Sequence, residues 1–121
     1  MDQKNGVQVT QEGPVAVVGF TIASITDAQV IAAASKRIRE VLDASHPVKV
    51  VFDFSGVSFF SSQVLGLLLE TRARLRPTGG KVAISTLTPS LQRVFKTTCL
   101  DRIFEFFPTR QAAVAAMGTM D

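Results

Sequence analysis

The chain has 121 residues, 46% of them hydrophobic, enough for one continuous core and too few to divide comfortably into two, so residues 1–121 read as a single domain. Its net charge of +3 is spread over residues 36–39, 72–76, 93–96, Arg102 and Arg110, and every aromatic residue is a Phe. Nucleic-acid binders concentrate such charge in a stripe with aromatics between, so this pattern argues for solvated helix faces and against direct nucleic-acid binding.

The start, residues 1–6, is polar and lacks an apolar h-region. The longest apolar stretch, residues 64–69, contains Gly66 and falls far short of the roughly 20 residues of a spanning helix, so no membrane insertion is expected. A lone Cys99 and a lone His46 allow no internal disulfide and make a metal site implausible, which fits a reducing, cytoplasmic setting.

In chain order, residues 7–10 and 15–20 are β-branched runs around Gln11-Glu12-Gly13-Pro14, the pattern of an opening hairpin. Thr26-Asp27-Ala28-Gln29 has capping-box spacing, with the Thr26 hydroxyl as acceptor for the Gln29 N–H, and Ile25 with Val30 can form a hydrophobic staple. Val30, Ala34, Ile38 and Val41 recur at helical spacing until His46-Pro47 stops the helix and leaves His46 in a loop. Residues 48–54, apolar except for Lys49 and Asp53, predict a central strand buried on both faces. A loop from Ser55-Gly56 leads to Ser61-Ser62, either of which can cap the leucine-rich helix that runs to Pro77-Thr78-Gly79-Gly80. A strand over 81–87 follows, then Thr88-Pro89 opens a helix that packs Leu91, Val94 and Phe95 inward. A final strand over 103–107 and an alanine-rich helix over 109–117, capped by Thr109, complete an α/β alternation in which helices cover a sheet.

Catalytic chemistry finds little material. Thr78-Gly79-Gly80-Lys81 leads from a helix into a strand, the reverse of a phosphate loop, and reads as a turn. With one histidine there is no evident Ser/His or Cys/His pair, and Cys99, flanked by Phe95 and Leu100, reads as packing. Asp53 sits where α/β enzymes place catalytic groups, but no second carboxylate accompanies it in residues 55–62, so its expected role is to support a loop by accepting N–H bonds. No enzyme activity, catalytic residue, metal or cofactor is expected.

Three segments, in this order and spacing, resemble the STAS family, the domains of sulfate transporters and anti-sigma factor antagonists. They are Val50-Val51-Phe52-Asp53-Phe54-Ser55-Gly56-Val57-Ser58-Phe59, then Val64-Leu65-Gly66-Leu67-Leu68-Leu69, then Leu91-Gln92-Arg93-Val94-Phe95 with Leu100-Asp101-Arg102-Ile103-Phe104. The ending Phe107-Pro108-Thr109-Arg110 before an alanine-rich helix is also similar. The resemblance implies an α/β domain with a mixed central sheet of about four to five strands and about four α-helices.

It also implies a function. Family antagonists bind an anti-sigma factor, a kinase of the histidine-kinase-like ATPase type, and so release a sigma factor for transcription. The kinase ends that binding by phosphorylating a Ser or Thr at the start of the second helix. Aligned through Val57-Ser58-Phe59 and Leu65-Gly66, the family's Asp falls on Ser61, its first Ser on Ser62, and the usual phospho-acceptor on Gln63, which has no hydroxyl. Ser62 is then the candidate acceptor, displaced by about 100° and about 1.5 Å along a helix, a shift that in-line phosphoryl transfer tolerates only if the loop adapts. The expected partner surface comprises Phe59, Phe60, Ser61, Ser62 and Gln63, with at least one Phe in the core. The alternative is an adaptor that does not depend on phosphorylation, a stressosome-like scaffold or a transporter accessory subunit, which Gln63 favours.

Overall fold

The structure, a computed structural model, describes residues 6–45 and 49–119. The expected helix stop at His46-Pro47 lies outside them.

Strands β1 (Val7–Glu12) and β2 (Val15–Phe20) form the antiparallel hairpin, in register from Val7 opposite Phe20 to Glu12 opposite Val15. Gly13 supplies the positive φ, 63°, that the two-residue turn needs at its first position. After the two-residue strand β3 (Ser24–Ile25) comes helix α1 (Ala28–Ser45), and its cap differs from expectation. Asp27, not Thr26, accepts the Gln29 N–H at 2.8 Å, so the helix starts one residue later in register. Ala34, Ile38 and Leu42 are buried, while Val30 and Val41 pack at the margin of the core.

Strand β4 (Lys49–Asp53) is buried along its whole length. Then come the two-residue strand β5 (Phe59–Phe60), helix α2 (Ser62–Leu75) with a 3₁₀ turn at Arg76–Thr78, and strand β6 (Lys81–Ser85). β6 stops at Ser85 instead of continuing to residue 87, because Thr86 takes a left-handed φ of 65° that no strand accommodates. Helix α3 (Pro89–Thr97) is capped as expected, the Thr88 hydroxyl accepting the Leu91 N–H at 3.2 Å. Cys99 turns left-handed (φ 62°) into a 3₁₀ turn at Leu100–Arg102. That turn consumes Ile103, so β7 is only Glu105–Phe107. Helix α4 (Arg110–Thr119) begins with the Thr109 hydroxyl accepting the Ala112 N–H at 3.0 Å.

The main sheet has the order β1-β2-β4-β6-β7, with β1 antiparallel to β2 and the other neighbours parallel. Five strands in a mixed sheet and four α-helices match the expected class. Period-two alternation divides the sheet into two faces. Val50, Phe52, Val82 and Ile84 join α1, α2 and α3 in the larger core, whereas Val51 and Ala83 meet Ala113 and Met117 of α4 on the other side. At residues 10 to 12 Arg110 ties α4 back to the hairpin, donating to the Glu12 carboxylate and, at 2.9 Å, to the Thr10 hydroxyl.

Candidate partner-docking site

The connection from β4 to α2 is held from beneath and open above. Phe54 is buried, and Val57 N–H donates to its carbonyl at 3.0 Å, closing a tight turn through the exposed Ser55 and Gly56. The chain then runs along the segment that follows β2. Ser58 and Phe59 N–H groups both donate to the Ala23 carbonyl (2.8 and 3.3 Å), and Ser61 N–H donates to the Ile25 carbonyl (3.0 Å). Between these bonds β5 pairs in parallel with β3, Ser24 with Phe59 and Ile25 with Phe60.

In a strand, adjacent side chains face opposite ways, and that assigns the two phenylalanines. Phe60 is 5% exposed and sits in a run of rings, 5.4 Å from Phe54 and 5.9 Å from Phe95 between centroids. Phe59 is 56% exposed. A large ring left in water beside a helix start is the kind of group that a partner covers.

Ser61 takes the N-cap position of α2 with extended backbone (φ −82°, ψ 167°), yet its side chain makes no cap bond. The Ser61 Oγ is buried without a hydrogen-bond partner. Ser62 and Gln63, the first two residues of the helix, are both exposed. Their amides belong to the helix start, where N–H groups lack intrahelical acceptors and favour an anion. Further along the same exposed side lie Gly66 and Leu69, the latter 38% exposed. Phe59, Ser62 and Gln63 therefore come together on one outward-facing surface, Phe60 lies in the core, and Ser61 is half-buried between them.

Asp53 is 6% exposed at the carboxyl end of β4. Its Oδ1 accepts from the hydroxyls of Ser85 (3.0 Å) and Thr86 (2.7 Å), so it holds the exit from β6 by O–H bonds where N–H bonds from residues 55–62 were expected. Cys99 also departs from expectation, since its thiol is exposed and not packed. Among the described residues no group of His, Cys, Asp and Glu has a metal-binding arrangement, and no helix is long and apolar enough to cross a membrane. Sequence reasoning missed the β3–β5 pairing, whose two-residue strands are too short to show periodicity, and the left-handed Thr86, which no propensity signals.

The family model described as the STAS domain matches residues 7–113. Among solved structures, the chain is similar to an anti-sigma-factor antagonist (STAS) domain protein from Planctomyces limnophilus, at 25% identity and a TM-score of 0.84, over 93% of this chain and 98% of that one. It is also similar to an anti-sigma factor antagonist from Mycobacterium paratuberculosis, at 28% identity and a TM-score of 0.79, over 93% and 92% of the two chains. The phosphorylated form of the Bacillus cell fate determinant SpoIIAA shares the fold at 18% identity and a TM-score of 0.71, over 91% and 97%. With the family match running from the first strand of this five-stranded mixed sheet into the last helix, the chain belongs to the STAS domain family.

Proposed function

We propose that this protein is an anti-sigma factor antagonist: it binds an anti-sigma factor, a kinase of the histidine-kinase-like ATPase type, and so frees a sigma factor for transcription. It acts in the cytoplasm and by binding, without catalysis of its own. The observation that carries this reading is the outward-facing start of α2, where Phe59 stands more than half exposed next to the exposed Ser62 and Gln63. Covering the Phe59 ring would contribute about 1–2 kcal/mol to a complex. The solved structures from Planctomyces limnophilus and Mycobacterium paratuberculosis, which share a quarter or more of their residues with this chain, are an anti-sigma-factor antagonist (STAS) domain protein and an anti-sigma factor antagonist, which supports the reading.

Ser62 is the candidate switch. Its hydroxyl lies in the first turn of α2, where a phosphate would gain from free N–H groups while adding roughly −1.5 to −2 charges to the docking surface. Gln63, at the usual acceptor position, supports the second reading, an adaptor that binds without a phosphoswitch. Incubation with ATPase-type kinases from the same genome and ATP, followed by mass spectrometry, separates the two. Phosphate on Ser62 supports the switch; binding that persists with no phosphate on the chain supports the adaptor. If a Gln63→Ser variant becomes phosphorylated where the wild type does not, only the acceptor has been lost.

A further inference from the structure

The far end of α2 forms a surface of different chemistry. A cleft of about 320 Å³ opens between the 3₁₀ turn that ends the helix, the start of β6 and the start of β7. Arg72, Arg76 and Lys81 line it, with Glu105 as its one carboxylate. Among the described residues none of these three cations is in an ion pair. Basic side chains in a last helical turn complement the helix dipole, which accounts for Arg72 and Arg74. It does not account for Lys81, which reaches the same cleft from a strand. Three cations against the single carboxylate of Glu105 leave this concave surface with an excess of positive charge, which a further anion would offset.

The backbone of the Gly79-Gly80 turn takes no part. Gly79 N–H donates to the Arg76 carbonyl (2.9 Å) and Gly80 N–H to the Leu75 carbonyl (2.8 Å), while the Thr78 hydroxyl also donates to Leu75 (3.0 Å). These bonds occupy helix-end carbonyls that would otherwise repel an anion, and they leave recognition to the side chains. Guanidinium forks and an ammonium suit a compact anion with several oxygens. Glu105 adds a selection: a carboxylate in the cleft repels a fully deprotonated anion but accepts a hydrogen bond from one that keeps an O–H.

We infer that this cleft binds inorganic hydrogen phosphate, with Arg72, Arg76 and Lys81 on its oxygens and the Glu105 carboxylate accepting a hydrogen bond from its O–H. α2 spans about 20 Å, so this site is separate from the docking surface and does not depend on the function proposed for it. The test is an NMR titration of the full chain with phosphate, sulfate and glycerol phosphate at constant ionic strength. Phosphate should shift the amides of Gly79, Gly80, Lys81 and Val82 and bind more tightly than the other two. Arg76→Gln and Lys81→Gln should each weaken it by about tenfold or more. Both residues are exposed, so unchanged dispersion of the spectrum will show that the variants fold. Glu105→Gln should let sulfate bind as well as phosphate does. Equal binding of sulfate and phosphate by the wild type, tighter binding of the monoester, shifts scattered over all basic surfaces, or indifference to both charge substitutions would each overturn the assignment.

Discussion

Replacing Gly66 with Ala should strengthen the fold and weaken the complex. Gly66 lies one turn inside α2 on its exposed side, and a Cβ built there meets nothing within 4 Å. No close packing inside the molecule requires a glycine there, yet glycine in a helix interior costs about 0.8–1 kcal/mol relative to alanine. Gly66→Ala should recover that amount. At about 2.1 cal/mol/K of unfolding entropy per residue, the midpoint of thermal unfolding rises by about 3–4 °C for a chain of this size. If the missing side chain instead makes room for a partner that packs closely on α2, the added methyl overpacks that contact and binding weakens by about 1 kcal/mol or more. Thermal or urea unfolding measures the first effect and titration with the anti-sigma factor the second. An unchanged or lowered unfolding midpoint would refute the reasoning, because the glycine would then serve the fold itself.

The two adjacent phenylalanines should behave in opposite ways. Phe59→Ala, at a ring 56% exposed, should leave the free energy of urea unfolding within about 0.5 kcal/mol of wild type, whereas Phe60→Ala should cost about 3–5 kcal/mol. Asp53→Ala removes the acceptor of the fully buried Ser85 hydroxyl and of Thr86, and should cost about 2–3 kcal/mol in urea unfolding; Asp53→Asn, which keeps an acceptor oxygen, should cost less. Cys99→Gly relieves a left-handed residue whose thiol is exposed, so a gain of about 1 kcal/mol is expected in the same assay.

Much of the fold was legible because local signals and core patterning agree. Thr88-Pro89 and Thr109 cap their helices as their side-chain chemistry dictates, and the apolar run before Asp53 is the central strand because parallel strands are covered on both faces. Errors arose where a distant contact decides. Thr26 and Asp27 are both good caps, and the choice between them accompanies the pairing of Ile25 with Phe60, residues far apart in sequence. Thr86 is β-branched and disfavours a positive φ, yet the Asp53 carboxylate and the Phe107 carbonyl, 3.2 Å from the Thr86 N–H, hold it there. The site shows the same division. The position of the loop before α2 is written in its serines and the leucine-rich run, but Phe59 and Phe60 are chemically identical, and only the β3–β5 register makes one a core ring and the other a surface one.

The most direct measurement is calorimetric titration of wild type and Phe59→Ala against each ATPase-type anti-sigma factor encoded in the same genome. A docking surface at the start of α2 predicts that one of them binds the wild type and that Phe59→Ala weakens this by about 1–2 kcal/mol while remaining folded. Wild type that binds none of them, or a Phe59→Ala variant that binds with undiminished affinity, would contradict it.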